Sequence, residues 1–248
     1  MTKIEAIAYY KSLIKEYIEN IPYFRELLRN LGEDIIIDRS YRSLIRDMIE
    51  ESYDQIYKYE MNKNESVDVQ MHWGSYRCAI TSDDCDYVLK FTYEKEVRRV
   101  RGVRKMCDDC ETEVEVYKLA KERGVDDFFA EVYSIDRKDF VIDGIDFELP
   151  QFYLAEAACP DEDRFYEYVE VDNVADVEEY EIDNQCDGGL DVFVDYYYHR
   201  PEILNKFIKF CKEIQLQDMH DENVGFKYGD DERGIPVVID YGISSSPK

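Results

Sequence analysis

The residues best suited to chemistry lie near the carboxyl end of the sequence. Asn223 stands directly before an apolar segment, 224–228, and Asp240 directly after a second one, 235–239. The stretch between them is rich in glycine and charge, which is typical of a turn, so the two segments predict an antiparallel hairpin. Asn223 and Asp240 then emerge at the same end of the hairpin. An amide and a carboxylate side by side form an oxygen-ligand set suited to Mg²⁺.

Asp218 lies upstream, on the segment that leads into this hairpin. The pattern D-x-x-x-x-N, followed by a hairpin and Asp-Tyr-Gly, resembles the catalytic loop and metal-binding triplet of the protein-kinase-like superfamily. That superfamily includes protein kinases, aminoglycoside-type phosphotransferases and minimal kinase-like proteins of bacteria and phages. The resemblance implies that Asp218 orients or deprotonates the acceptor hydroxyl, while Asn223 and Asp240 hold the Mg²⁺ that accompanies ATP.

A strand lysine is the next part that the resemblance requires. The segment 87–93 has strong strand propensity, and Lys90 lies on the face opposite its large apolar residues. The resemblance implies that Lys90 binds the α- and β-phosphates of ATP. It also assigns phosphate contacts to Gly74 and Ser75, in the bend between two shorter predicted strands, 67–71 and 77–80. This loop has a single glycine where protein kinases usually have three.

A helix glutamate should hold that lysine, and three glutamates compete for the role. Residues 109–123 predict a helix ended by Gly124. Glu113 shares its face with the apolar residues at i+3, i+4 and i+7, so we expect it to point inward. Glu115 lies on a solvent face, and Glu111 is less well placed than Glu113. The resemblance therefore pairs Glu113 with Lys90.

The order of segments along the chain predicts the adenine site. Residues 147–156 are interpreted as a strand that leads into the hinge between two lobes. Hinge backbone groups bind adenine in the family, which implies contacts at Leu154 and Glu156. Farther along, residues 201–215 predict a helix that delivers Asp218 to the site.

The whole pattern predicts an α+β protein with a two-lobed protein-kinase-like fold, an N-terminal helical extension and a reduced C-lobe. We expect the helical extension over residues 1–62, an N-lobe with an antiparallel sheet and one helix over 63–156, and a truncated C-lobe over 157–248. Pro22 and Gly32 are expected to begin and end a second helix. A third helix is expected over about 40–59, with Leu44 on its apolar side. The apolar stripe predicted for the first helix consists of Ile4, Ile7, Ala8, Ile14, Tyr17, Ile18 and Ile21.

Composition limits the kinds of partner that we expect this protein to bind. A net charge of −26 argues against nucleic acid, because the phosphate backbone would be repelled. No apolar run reaches the length of a membrane span, and the first residues lack the apolar core of a signal peptide. The seven cysteines have no disulfide-scaffold density, which favours a reducing compartment. We therefore expect a cytoplasmic protein with no nucleic-acid or membrane partner.

The acceptor of the phosphate stays open at this stage. A Ser or Thr in a protein is the first interpretation, and a cationic small molecule is its rival, because small-molecule kinases commonly have a histidine where His220 stands. A nucleotide-binding pseudokinase that docks partners through its N-terminal helices is the non-enzymatic alternative, and transfer of AMP is a related variant. Only residues 243–248 follow Gly242, so we expect the acceptor-binding helices of larger kinases to be missing.

Three other features of the sequence have interpretations of their own. Cys107 and Cys110 form a lone C-x-x-C pair without a second ligand pair for zinc. The basic run within 96–105 suits neutralisation of acidic neighbours in the protein or of a phosphorylated partner. The acidic part of segment 157–200 is either a solvated insertion or a replacement wall of the cleft.

Overall fold

The computed structural model contains helices and an antiparallel sheet, so the predicted α+β class is confirmed. Contacts divide the chain into two compact units. Unit 1 comprises Met1–Glu96 and Val132–Ala157, and unit 2 comprises Val97–Glu131 and Ala158–Lys248. The N-terminal helices and the main sheet thus share unit 1. The structure describes residues 1–32, 39–63, 68–74, 76–100, 103–158, 189–197, 199–216, 219, 223–227 and 234–242.

The helices and strands of the described part are numbered in chain order. The helices are α1 (Lys3–Asn20), α2 (Pro22–Gly32), α3 (Arg39–Lys63), α4 (Asp109–Arg123), α5 (Gly189–Tyr197) and α6 (Pro201–Ile214). The strands are β1 (Val69–Trp73), β2 (Arg77–Ser82), β3 (Tyr87–Thr92), β4 (Glu96–Val100), β5 (Val103–Cys107), β6 (Val132–Ser134), β7 (Phe152–Glu156), β8 (Val224–Lys227) and β9 (Ile235–Val238). No helix among these is long and apolar enough to cross a membrane.

Unit 1 is built on a five-stranded antiparallel sheet with the order β1-β2-β3-β7-β6. Helix α1 packs on it through Tyr10, which is fully buried and whose hydroxyl donates to the carbonyls of Ile80, at 3.1 Å, and Tyr87. Burial of apolar side chains between the helices and this sheet is the main favourable term for folding such a unit. The N-terminal helices therefore share their core with the sheet.

The starts and ends of these helices follow local rules. Thr2 caps α1 in a capping box with Glu5, which satisfies backbone donors at the helix start. Pro22 begins α2 and Gly32 ends it, as predicted. The predicted stripe of α1 is wrong at Ile4, which is 81% exposed. The buried residues of α1 are Ala6, Tyr10, Leu13, Ile14, Tyr17 and Ile18.

Three further expectations, one about a buried helix face and two about the bounds of strands, are wrong. Leu44 does not lie on the buried side of α3 and is 48% exposed. The strand predicted over 147–156 begins only at Phe152, and the strand predicted over 67–71 is Val69–Trp73. Pro150 cannot donate to a ladder, and Gln151 uses its side-chain amide to bond the carbonyls of Ile135 and Phe152, at 2.7 and 2.8 Å. Both residues precede β7, which begins at Phe152.

Unit 2 has an aromatic core. Phe128 stacks on Phe207 of α6 with ring centroids 4.3 Å apart, and Phe193 of α5 packs against both. Such pairs contribute stability beyond the area that they bury. Helix α4 begins after Asp108, whose carboxylate accepts from the Glu111 amide at 3.2 Å, and ends at Gly124, as predicted.

Candidate functional site

The β8–β9 hairpin forms as the sequence predicts. Its strands pair antiparallel, with Val224 opposite Val238, and the amide of Ile239 donates to the carbonyl of Asn223 at 2.9 Å. Asn223 and Asp240 therefore lie at the same end of the hairpin. Asn223 is buried and Asp240 is half-buried, so this end offers an amide and a carboxylate in a partly enclosed position.

This donor set fits a hard cation. Mg²⁺ takes oxygen ligands and usually keeps several waters, with one or two carboxylates and substrate phosphates completing its shell. Within the described ranges, no group of three or more His, Cys, Asp or Glu side chains could hold a metal ion. Asp218 lies outside the described residues, as do Asp221 and Glu222. Among the described residues, this end of the hairpin therefore has two oxygen-bearing side chains, those of Asn223 and Asp240.

Helix α4 turns a buried carboxylate toward the same segment. Glu113 is 0% exposed, whereas Glu111 and Glu115 are exposed, which confirms the inward face that the spacing predicted. One carboxylate oxygen of Glu113 accepts from the backbone amide of Tyr241 at 3.3 Å. A buried carboxylate needs such partners, because its charge is costly to remove from water. Glu113 therefore contacts the residue that directly follows Asp240.

Tyr241 has further contacts inside unit 2. Its ring packs edge-to-face on Phe129 with centroids 5.0 Å apart, and its hydroxyl donates to the carbonyl of Ala130 at 2.6 Å. Sequence reasoning gave Tyr241 no role of its own, although an aromatic residue between Asp240 and Gly242 was a visible signal. It missed Ala130 because this residue acts through its backbone, which leaves no trace in residue type.

A glycine allows close packing beside the hairpin. A Cβ added to Gly225, in β8, would lie 2.9 Å from the Cβ of Ala158 and 3.0 Å from its carbonyl oxygen. Real Cβ atoms essentially never approach this closely, so only glycine fits without a shift of the backbone. Gly225 thus lets the chain at Ala158 pass directly against β8.

In unit 1, Lys90 lies in the middle of β3. It is 8% exposed and stands opposite Ala79 of β2 and Tyr153 of β7. Leu154, in β7, is fully buried opposite Leu89. The structure therefore brings Lys90 and Leu154 onto adjacent strands.

Glu156 ends β7 and is half-buried, opposite Tyr87. The amide of Ala157 donates to the carbonyl of Asp86 at 2.9 Å, which continues the pairing beyond the strand. Backbone groups near Glu156 are therefore fixed against the turn between β2 and β3.

Gly74, in the predicted phosphate loop, directly follows β1. The amide of Gly74 donates to the carbonyl of Arg77 at 3.0 Å, and the hydroxyl of Tyr93 donates to the carbonyl of Gly74. Burial raises the pKa of Tyr93 to about 12, so its hydroxyl keeps its proton at neutral pH. Ser75 lies outside the described residues.

A separate cavity of about 390 Å³ lies between α2 and α3. Its lining is mainly apolar, and two of its residues, Tyr23 and Leu44, are large exposed hydrophobics. None of the residues assigned to nucleotide or metal lines it. The lining consists of Pro22, Tyr23, Glu26, Asn30, Tyr41, Leu44 and Met48.

No protein-family model matches the chain, and no curated protein matches it. The resemblance to the kinase-like superfamily therefore rests on the residues themselves and on their spacing.

Proposed function

We propose that this protein is an ATP- and Mg²⁺-dependent phosphotransferase with a two-lobed protein-kinase-like fold, and that it acts on Ser or Thr in a protein. The end of the β8–β9 hairpin carries this proposal. There an amide and a carboxylate, Asn223 and Asp240, sit beside a backbone amide that the buried Glu113 carboxylate holds. This donor set suits a metal bound together with phosphate oxygens.

The proposed site has separate groups for the metal, the phosphates, the acceptor and the adenine. Asn223 and Asp240 hold the Mg²⁺, which when bound neutralises charge on the phosphates. Lys90 contacts the α- and β-phosphates, and Asp218 orients the acceptor hydroxyl. Gly74 and Ser75 contribute to phosphate binding, and backbone groups near Leu154 and Glu156 contact the adenine. Catalysis at such sites is mostly positioning and charge stabilisation, which is why fixed backbone around Asp240 supports the proposal.

The experiment that tests this function uses ATP labelled in parallel at the γ- and the α-phosphate. With Mg²⁺ present, we expect γ-label on the protein itself or on an added protein acceptor, and EDTA should abolish the transfer. Transfer of α-label alone would support AMP transfer instead. No transfer, with thermal stabilisation by Mg-ATP, would leave a nucleotide-binding module, and no stabilisation at all would overturn the nucleotide site.

Matched variants distinguish an effect of the proposed site residues from an effect of losing any acidic side chain. Asp218→Ala and Asp240→Asn should each reduce γ-transfer by at least about a hundredfold, the usual scale for a catalytic or metal-holding group. Glu115→Gln changes an exposed carboxylate on α4 and should leave transfer unchanged. Equal activity in Asp240→Asn and Glu115→Gln would contradict the assignment.

The cationic small-molecule acceptor is tested in the same assay, with an aminoglycoside or choline-type substrate in place of protein.

Docking of partners through the N-terminal helices is supported by the cavity between α2 and α3. Such docking would not require phosphate transfer.

A further inference from the structure

A short segment after α4 braces the hairpin that carries Asp240. The amide of Ala130 donates to the carbonyl of Val238 at 2.9 Å, and Phe129 forms a parallel bridge with Val238. From the other strand, the Lys227 ammonium donates to the carbonyl of Phe129 at 3.4 Å. Phe129 and Ala130 therefore act as a third strand-like support for the pair β8–β9.

Tyr241, which follows Asp240, is held by two hydrogen bonds. Its amide donates to Glu113 at 3.3 Å, and its hydroxyl donates to the carbonyl of Ala130 at 2.6 Å. The side chain is fully buried. Ala130 thus bonds the chain both before and after Asp240, through Val238 and through Tyr241.

We infer that Tyr241 is a positioning residue, whose hydroxyl fixes the turn that presents Asp240 to a divalent cation. The inference rests on the proposed function, since it concerns the same metal ligand. Asp240 lies between two residues held by Ala130, so the backbone that carries its carboxylate has little freedom to lose when a cation binds. A preorganised ligand binds more tightly because less ordering is required at binding.

The hydroxyl, and not the ring, carries this role. A phenylalanine at position 241 would fill nearly the same volume against Phe129, so core packing alone gives no reason for the hydroxyl. A buried hydroxyl requires a hydrogen-bond partner, and Ala130 supplies it. Loss of the hydroxyl releases one anchor of the turn while the core stays filled.

The test compares wild type with Tyr241→Phe in two measurements. The first is amide hydrogen exchange of the segment 239–242 without metal, which reports local opening of the turn. The second is Mn²⁺ affinity, measured by titration calorimetry or by the paramagnetic signal of free Mn²⁺. We expect Tyr241→Phe to remain folded, to exchange faster in 239–242 and to bind Mn²⁺ about fivefold more weakly, the effect of one lost hydrogen bond.

Tyr10→Phe is the matched control. It removes a buried tyrosine hydroxyl that also donates to backbone carbonyls, but in unit 1. Because the Tyr10 hydroxyl donates to two carbonyls and the Tyr241 hydroxyl to one, Tyr10→Phe should lose at least as much thermal stability as Tyr241→Phe. Only Tyr241→Phe should change exchange and Mn²⁺ affinity. Replacement of Tyr241 by para-aminophenylalanine, which keeps an N–H donor at the same place, should restore both readouts toward wild type.

The outcomes separate the two proposals. Unchanged exchange in 239–242 and unchanged Mn²⁺ affinity in Tyr241→Phe would overturn the positioning role. Equal losses in Tyr10→Phe would do the same, because they would reflect general stability. If wild type binds no Mn²⁺, the metal site of the proposed function fails, and the exchange comparison alone decides whether Tyr241 holds the turn.

Discussion

A network of charged and phenolic side chains fastens α1 to α3. The Lys63 ammonium lies 2.8 Å from Glu16 and 3.6 Å from Glu60, and the hydroxyl of Tyr17 donates to Glu60 at 2.8 Å. Glu60 is only 3% exposed, so its carboxylate depends on these partners. The hydroxyl of Tyr59 also donates to Glu16, at 2.7 Å. Loss of one member therefore affects the others.

This network gives the protein a defined response to acid. The hydrogen bond to Lys63 holds the pKa of Glu16 below its ordinary value of 4.5. A lowered folded-state pKa contributes stability that is present above pH 4.5 and is lost as pH falls through that folded-state pKa. We expect Lys63→Met to reduce this loss, measured as the change in the free energy of unfolding by urea between pH 6 and pH 3.

Lys58→Met is the comparison for that experiment. Lys58 is 69% exposed and lies 3.8 Å from Asp54, an ion pair of a kind that contributes little. The free energy of unfolding of Lys58→Met should depend on pH as that of wild type does. If both lysine variants respond to acid alike, the network does not set the pH dependence.

At the scale of elements, close approaches between backbones decide where helices and loops meet. Sequence patterns predicted that Gly32 ends α2, and the structure gives this glycine a second reason. A Cβ added at Gly32 would overlap the carbonyl oxygen of Glu148. The loop before β7 thus crosses directly over the end of α2, where only a hydrogen atom fits.

Gly32→Ala should therefore destabilise the protein by about 3 kcal/mol or more, because backbone and not a flexible side chain must move. The measurement is the midpoint and slope of urea unfolding. Gly124→Ala is the contrast, since its Cβ would meet nothing within 4 Å and only its φ of +66° is unfavourable. That variant should lose about 1 kcal/mol. Equal losses would contradict the close approach at Glu148.

At the scale of the molecule, the net charge of −26 opposes compactness. Like charges repel over roughly 30 Å at 0.01 M salt and over about 10 Å at 0.1 M. We expect the thermal midpoint to rise when NaCl is increased from 10 to 300 mM, measured by scanning fluorimetry.

MgCl₂ at matched ionic strength tests specific binding beside this general effect. A further rise with Mg²⁺ and ATP should be present in wild type and reduced in Asp240→Asn. A midpoint that falls with NaCl would show that attractive ion pairs outweigh the repulsion. A rise with Mg²⁺ that is the same in both proteins would indicate nonspecific screening.

Patterns among neighbouring residues were sufficient to predict several elements and one buried carboxylate. Turn chemistry and strand propensity predicted the β8–β9 hairpin, and helical spacing predicted that Glu113 is buried while Glu115 is exposed. Pro22 and Gly124 marked helix ends correctly. The failures at Ile4 and Leu44 arose because apolar residues at the margin of a stripe are buried only where another element covers them.

Contacts between groups that are distant in the chain arise from the packing of whole elements. The Glu113 carboxylate and the Tyr241 amide are 128 positions apart in the chain, and no spacing rule connects them. Ala130 and Glu148 act through backbone groups, which every residue type carries alike. Periodicity and turn signals act over a few residues, whereas these contacts depend on how whole elements pack.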